Sequence, residues 1–356
     1  MTLTKGKKTF LKALIVLKKH YQINILNIER IANAIKASKI RKQLSKDEKY
    51  LEKIPIKTFD GSNSTTHPYI MYFEKPFNNH QYYMAHTPYN NQNIELENPS
   101  LCVSNDGIIF NKPKGTKDPL LPIIKHTKGR PALYYNDNFI LYEQDQLQIW
   151  YRYTEEDKTK NPHKLKNQIF RIVSKDGVNF SEPELMLDDD GIWYLSPSII
   201  KINDLYYMYY FDKDLKFYIK TSQNLRKWSE PHQVAVEGFS GNFWHGEVKI
   251  VGKELYLLFI SRNYDLYFCH TDYKNPLLFK NCDKLHFNYS DKSLFYGFTH
   301  PYKSTFLVKD DYIDFYIPFS VNVLDCHRIN SIKRIKQTMT YTRVKRENYQ
   351  KFIKEN

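Results

Sequence analysis

Cysteine is scarce in this sequence, and its spacing argues against a disulfide-rich or zinc-stabilised framework. The 356 residues include four cysteines, with no C-x-x-C pair and no Cys/His spacing typical of structural zinc. Small disulfide-rich or zinc-dependent domains need such patterns. The sequence therefore predicts packed, unpaired thiols, shows no metal-binding motif and indicates no cofactor.

Long apolar runs are also absent. The longest one near the start of the chain extends from Ala13 to Leu17 and is bounded by Lys12 and Lys18. A membrane-spanning helix needs about 20 apolar residues, and a secretory signal ends at a small-residue cleavage site. Neither pattern occurs here, so the sequence predicts a cytoplasmic protein.

Negative charge is sparse at the start of the chain. Residues 1–56 hold 14 Lys/Arg against 4 Asp/Glu, a net of +10, whereas residues 57–356 hold 39 against 35, a net of +4. The formal charge of +14 therefore belongs mostly to an N-terminal arm. No nucleic-acid recognition motif accompanies this charge, so nucleic acid is not an expected partner.

The arm, residues 1–56, has the pattern of one or two amphipathic helices. Apolar residues at 10, 14, 17, 21, 25, 28, 32 and 35 fall on one helical stripe, and lysines and arginines occupy the other face. Three roles are open: packing on the main domain, attachment to an anionic membrane surface, or a stem for a homo-oligomer. Pro55 marks a boundary with the rest of the chain.

After the arm, a unit recurs five times at intervals of about 50 to 65 residues. Each unit opens with a short polar step into an apolar strand and continues with a Tyr-rich strand, and three close on a Ser-x-Asp or Ser-x-Asn turn. The openings are Thr66–Ile70, Gly129–Leu133, Leu195–Ile199, His245–Val248 and Thr299–Tyr302. Each interval suits one four-stranded sheet. The sequence predicts an all-β, five-bladed β-propeller over 57–344, followed by a tail, 345–356.

In a propeller, the first strand of each blade lines a central funnel. The openings therefore bring polar side chains together from distant parts of the sequence, and the loops before them form the rim. The predicted funnel residues are His67, Arg130, Ser196, His245, Glu247 and His300, and the predicted rim residues include Asp60, Glu97, Tyr194 and Trp244. Aromatic walls with converging polar groups are typical of sugar-binding pockets.

Several motifs resemble the five-bladed propeller glycosidases of the arabinanase and β-xylosidase type. They are His67-Pro68, Tyr83-Met84-Ala85, Thr87-Pro88-Tyr89, Glu97-Asn98-Pro99-Ser100 and Ser104-Asn105-Asp106-Gly107. The resemblance covers residues 58 to 344. The motifs are similar to those of a branch associated with surface-polysaccharide gene clusters and with phage receptor-binding proteins.

The resemblance implies three acidic residues that this chain lacks at the matching openings. Such glycosidases use one Asp as general base, a second Asp that tunes pKa values, and a Glu as general acid. In this chain, the matching openings carry His67, Arg130 and Ser196, and Glu247 is the only carboxylate that remains on the ring. Asp60 or Glu97 would then supply a second carboxylate. Because Arg130 is a forked donor suited to phosphate, we expect an anionic ligand.

Three functions follow as hypotheses. The first is an enzyme of surface-polysaccharide assembly, at the inner membrane face, that transfers a sugar from a phosphorylated donor, with Glu247, Asp60 or Glu97 as catalytic groups. His67, Arg130, Tyr194, Ser196, Trp244, His245 and His300 would bind the substrate. The second is a non-catalytic binder of anionic glycan such as teichoic acid, located in a virion. The third is a glycoside hydrolase with a relocated base.

Overall fold

The computed structural model describes residues 50–124, 131–157, 164–189, 191–285, 288–289, 298–324 and 332–346. The predicted helices of the arm, the membrane and oligomer roles assigned to them, and Arg130 lie outside these ranges. No helix within them is long and apolar enough to cross a membrane.

The described residues form five mainly antiparallel sheets that follow one another along the chain, which confirms the predicted five-bladed β-propeller. Blade 1 consists of β2 (Thr65–Phe77), β3 (His80–Pro88) and β4 (Ser100–Ser104). Blade 2 consists of β5 (Ala132–Glu143), β6 (Gln146–Asp157), β7 (Lys164–Ser174) and β8 (Glu184–Leu187). Blade 3 consists of β9 (Leu195–Ile202), β10 (Leu205–Phe211), β11 (Phe217–Ser222) and β12 (His232–Gln233).

Blade 4 contains β13 (Ala235–Val236), β14 (Phe243–Val251), β15 (Glu254–Ser261), β16 (Leu266–Asp272) and β17 (Leu278–Lys284). Blade 5 contains β18 (Asn288–Tyr289), β19 (Phe298–Pro301), β20 (Thr305–Val308), β21 (Tyr312–Leu324) and β22 (Ile332–Lys345). Two short 3₁₀ turns, Asn90–Gln92 and Ile94–Leu96, lie between β3 and β4.

The ring closes through a strand from the beginning of the chain. Residues Tyr50–Lys53 form β1, which pairs antiparallel with β22 of blade 5. The propeller therefore begins within the segment that the sequence assigned to the arm, before Pro55. This pairing joins the two ends of the described chain in one sheet, as blade closure requires.

Apolar side chains fill the spaces between neighbouring blades. Four buried clusters follow one another around the ring, between blades 1, 2 and 3, blades 3 and 4, blades 4 and 5, and blades 5 and 1. The aromatic residues after the repeated turns, Phe110, Phe180 and Trp228, belong to or pack against these clusters. Packing between sheets thus carries most of the hydrophobic burial.

The repeated turns share one hydrogen-bonding scheme. Asp106 Oδ1 accepts from the N–H groups of Ile108 and Ile109, at 2.8 Å each, and Asp176 and Asn224 accept in the same way from the residues two and three positions later. An Asx side chain that accepts these N–H groups stabilises the turn locally. The Ser-x-Asx signature of the sequence therefore has a direct structural cause.

The prediction of unpaired thiols is wrong for one pair. Cys269 on β16 and Cys282 on β17 are joined by a disulfide bond, whereas Cys102 is buried and free. β16 and β17 are paired antiparallel, which places these two cysteines side by side. The spacing of the cysteines along the chain does not show that these two lie opposite each other on neighbouring strands.

Candidate functional site

Five side chains, one from each blade, meet at the centre of the propeller and are called the axial ring here. They are His67, Asp137, Ser196, His245 and Lys303, and each is at most 2% exposed. His67, Asp137 and Ser196 share a left-handed backbone, with φ of 46°, 48° and 51°. Non-glycine residues rarely adopt this conformation, so its recurrence marks equivalent positions.

Hydrogen bonds between blades support the same alignment. Ser198 Oγ, two residues after Ser196, accepts from the N–H of Val248, three residues after His245, at 3.1 Å. Thr305, two residues after Lys303, accepts in the same way from Ile70, three residues after His67, at 3.1 Å. The repeat that the sequence shows along the chain therefore has a counterpart in contacts around the axis.

Asp137 is the centre of the ring. Its Oδ2 lies 2.8 Å from Arg152 Nη2, and its Oδ1 lies 3.5 Å from Lys303 Nζ and accepts a 3.2 Å hydrogen bond from Ser196 Oγ. Burial opposes ionisation of Asp137, but Arg152 and Lys303 together outweigh it and hold its pKa well below the usual range. Asp137 is therefore ionised at neutral pH.

Two imidazoles face this carboxylate. His67 Nε2 lies 4.0 Å and His245 Nδ1 lies 3.5 Å from Asp137 Oδ1. Burial lowers the pKa of both histidines, and it does so despite the opposing charge of Asp137. Both rings are therefore neutral near pH 7, and His67 Nε2 is buried without a hydrogen-bond partner.

His67, Asp137 and His245 form a set that could hold a metal ion, since their ligand atoms lie within 4.8 Å of one another. Neutral imidazole and ionised carboxylate are the protonation states that ligation requires. His245 Nε2 lies 3.0 Å from Tyr302 Oη, and such a contact from the other ring nitrogen orients a ligating histidine. The sequence shows no sign of this set because its members come from three blades.

Glu97 borders the axial ring on the side of His67. Its Oε1 lies 3.7 Å from His67 Nδ1, and its buried Oε2 has no hydrogen-bond partner. Burial, together with the charge of Asp137, raises the pKa of Glu97 to about 8. Two carboxyl groups in one site thus have pKa values displaced in opposite directions, which is typical of acid–base sites.

The structure brings His67, Ser196 and His245 together at the axis, and Glu97, which the sequence placed on the rim, lies beside His67. The equivalent of His67 in blade 2 is Asp137 rather than Arg130, and in blade 5 it is Lys303 rather than His300. The sequence alignment followed the Arg-Pro and His-Pro dipeptides. In blades 1 to 4, a register shift in the pairing of the first strand lies at or next to the residue that reaches the axis.

Glu247 belongs to a different layer. It is 1% exposed and lies 2.6 Å from Lys249 Nζ, which also donates to the carbonyl oxygens of Ile70 and Phe306 at 2.5 and 2.7 Å. Burial raises the pKa of Glu247 and lowers that of Lys249. This ion pair joins blades 4, 1 and 5, and the catalytic role of Glu247 stays a prediction.

The remaining predicted residues lie outside the axial ring. Asp60 accepts hydrogen bonds from Thr58 and Ser62 in its own turn. Tyr194 is fully buried, with its hydroxyl bonded to Asp189 and Lys220, so it does not line the rim.

Trp244 stands next to the axial ring, whereas His300 is shown in contact with Tyr264. The Trp244 indole lies edge-on to His245, with ring centroids 4.9 Å apart. The His300 imidazole packs on Tyr264, with ring centroids 3.9 Å apart. Trp244 therefore borders His245, and His300 contacts a residue of blade 4.

Sequence reasoning missed Asp137, Arg152, Tyr302 and Lys303. The Asn136-Asp137-Asn138 tripeptide, three polar residues inside an otherwise apolar and aromatic strand, was the one available signal for this group. Arg152 carries no comparable mark, because a single basic residue in a Tyr-rich strand is common in this chain, and Lys303 lies in the short connection between β19 and β20.

No protein-family model matches the sequence. A segment covering 37% of the chain is 26% identical, over 137 residues, to the A type blood N-acetyl-α-D-galactosamine deacetylase of Flavonifractor plautii. That segment spans 16% of the deacetylase's length. The chain therefore corresponds to only a small part of this relative.

Solved structures resemble the whole propeller. The N-acetylgalactosamine deacetylase from F. plautii, in complex with blood group B trisaccharide, has a TM-score of 0.68 at 16% identity, covering 86% of this chain and 97% of that one. A GH43 β-xylosidase/α-arabinofuranosidase from a compost metagenome has a TM-score of 0.52 at 12% identity, covering 82% and 94%. The fold is thus the five-bladed propeller of arabinanase- and xylosidase-type enzymes, as predicted. The surface-polysaccharide branch stays a prediction.

Proposed function

We propose that this protein is a carbohydrate-active hydrolase that removes an N-acyl group, in the first place N-acetyl, from a sugar of a glycan. The single observation that carries the proposal is the convergence of His67, Asp137 and His245 at the axis, with ligand atoms within 4.8 Å. Similarity to a sugar deacetylase, in a segment of sequence and in fold, supports this choice over cleavage of a glycosidic bond.

The donor set suits a first-row divalent cation such as Zn²⁺, for which two imidazoles and one carboxylate are common ligands. The unpartnered Nε2 of His67 supports this fit. Lys303 Nζ lies 3.5 Å from Asp137 Oδ1, so it must move away when the ion binds this oxygen. A bound cation would supply an activated water and polarise the substrate carbonyl.

The residues around this set suit amide hydrolysis. In the reaction, the oxygen of water bonds to the acyl carbon and the water gives up a proton to solvent, the C–N bond breaks, and the leaving nitrogen takes a proton. Glu97, protonated below its pKa of about 8, is placed to donate that proton. Lys303 is placed to stabilise the negative charge that develops on the carbonyl oxygen.

Hydrolysis of a glycosidic bond is the second candidate. The observation that favours it is the pair Asp137 and Glu97, since a glycosidase needs one ionised and one protonated carboxyl group. Against it, Asp137 is already bound by Arg152 and Ser196, which leaves it a weak base. Glycosyl transfer, the first hypothesis from the sequence, gains no support from the relatives.

The experiment is a two-product assay on N-acetylated glycans, such as chitin oligosaccharides and N-acetylgalactosamine-terminated oligosaccharides. Released acetate and new reducing ends are measured in parallel, with chelator-treated protein and with protein reloaded with Zn²⁺, Mn²⁺ or Co²⁺. We expect metal-dependent acetate release, lost in Asp137→Asn and kept in His232→Gln, a variant of an exposed histidine on the outer strand β12. Reducing ends without acetate would favour a glycosidase, and neither product would favour a binder.

A further inference from the structure

An arginine stands at the mouth of the site beside His245. Phe243 at the start of β14 pairs with Ser261 at the end of β15, and the N–H of Arg262 donates to Asn242 O at 2.9 Å. The turn after β15 therefore lies at the end of blade 4 where His245 enters the axial ring. Arg262 is exposed to solvent at this end.

The guanidinium of Arg262 is held by an aromatic face instead of by an acid. Its Cζ lies 3.9 Å from the centroid of the Trp244 ring, which itself contacts the His245 ring. Within the part of the chain that the structure describes, this guanidinium has no ion pair and no hydrogen bond. The acid that follows in the same turn, Asp265, binds Lys284 at 2.8 Å. Arg262 is thus a positioned cation without a counter-ion.

A guanidinium that lies on an indole keeps its N–H donors free at its edge. This arrangement limits the motion of the side chain and leaves a planar fork that matches a carboxylate or a phosphate. Inside the funnel, Asp137 is outnumbered by Arg152 and Lys303, so the interior does not repel an anion. From its mouth to its centre, the charge of the site therefore favours the binding of an anion.

We propose that Arg262 and Trp244 form a subsite for an anionic group, a carboxylate or a phosphate, on the sugar next to the one that is processed. The proposal rests on the proposed function for the position of the processed sugar, but the binding of the anion does not depend on catalysis. This subsite would make the substrate an anionic glycan. The sequence predicts the same class of partner, but from Arg130 instead of Arg262.

The test measures binding by calorimetry, with the full chain and three probes. They are N,N′-diacetylchitobiose, a glucuronic acid–N-acetylglucosamine disaccharide, and N,N′-diacetylchitobiose with a 6-phosphate on one of its two sugars. We expect the two anionic probes, or one of them, to bind about tenfold more tightly than the neutral one, as a charge-assisted pair gives. The anionic probe that binds more tightly shows whether the subsite prefers a carboxylate or a phosphate.

The variant Arg262→Gln should remove this preference and leave the affinity for the neutral probe unchanged, and Trp244→Ala should weaken it. The matched control is Arg226→Gln, an exposed arginine that pairs with Glu184 on the outer strands. Equal binding of all probes, no binding of either anion, or an unchanged preference in Arg262→Gln would overturn the subsite. If the subsite holds while no acetate is released, the proposed function alone fails.

Discussion

Lys303 Nζ lies 3.5 Å from Asp137 Oδ1, although the two residues come from blades 5 and 2. Arg152 and Lys303 both help to hold the pKa of Asp137 low, and Ser196 donates a hydrogen bond to the carboxylate. The ammonium is buried without a hydrogen bond, and burial lowers its pKa against the pull of Asp137. An ammonium that is buried beside Asp137 without a hydrogen bond points to a role toward the substrate.

Replacement of Lys303 by Met should lower kcat for acetate release by about 10² to 10³, the usual cost of losing one oxyanion donor, and leave KM nearly unchanged. Lys303→Arg should recover part of the loss because it keeps the charge. Steady-state kinetics on metal-loaded protein test this. A kcat within twofold of wild type in Lys303→Met would rule out the role.

Metal binding should depend on the axial histidines. We expect about one ion per chain after dialysis against Zn²⁺, and close to none in His67→Gln or His245→Gln, because each substitution removes one of three ligands. Elemental analysis measures this, and His232→Gln is the control. Full occupancy in both axial variants would contradict the assignment of the site.

Glu97→Gln should lower kcat by about 10² or more, since it removes the proposed proton donor and keeps the shape of the side chain. Metal content should stay as in wild type, because Glu97 is not among the ligands. The control is Glu95→Gln, two residues away and exposed. A Glu97→Gln variant as active as the control would show that the proton comes from another group.

The Glu247–Lys249 pair should contribute to stability and not to chemistry. Lys249→Met leaves Glu247 buried without a counter-charge, a loss of about 3 to 5 kcal/mol in the free energy of unfolding. The double variant Glu247→Met/Lys249→Met should be more stable than Lys249→Met alone, because no unpaired charge remains. Denaturant titration of the four proteins gives the coupling energy. Additive single losses would contradict this role.

The Asx turns should make stability sensitive to acid. N–H donors lower the pKa of Asp176, and they outweigh burial to lower that of Asp106. For a folded-state pKa below the unfolded value of about 3.9, the added stability is present above pH 4 and is lost as the pH falls through the folded-state pKa.

Asp176→Asn should keep the turn and flatten the fall of Tm below pH 4, since an amide oxygen accepts the same N–H groups without titrating. Asn224, the equivalent residue of blade 3, provides the reverse test: Asn224→Asp should steepen that fall. Thermal unfolding between pH 2 and 7 measures both. Identical pH profiles for wild type and Asp176→Asn would refute the linkage.

The architecture was predictable because each blade carries its own local signals. The alternation of apolar and Tyr-rich strands and the Ser-x-Asx turns depend on residues close in sequence, so five copies of the pattern indicate five blades. The same pattern located His67, Ser196 and His245. It failed for blades 2 and 5, where Asp137 and Lys303 occupy the axis.

The sequence by itself determined the fold class, the order of the blades and three members of the axial ring, because backbone propensity and turn chemistry act over a few residues. Tertiary structure alone decided that Asp137, Arg152 and Lys303 share one site, that Glu247 pairs with Lys249, and that Cys269 meets Cys282. These contacts follow from the closure of the ring and the bulges of individual strands. The pKa values at the axis depend on burial among neighbours far apart in sequence, which no local pattern shows.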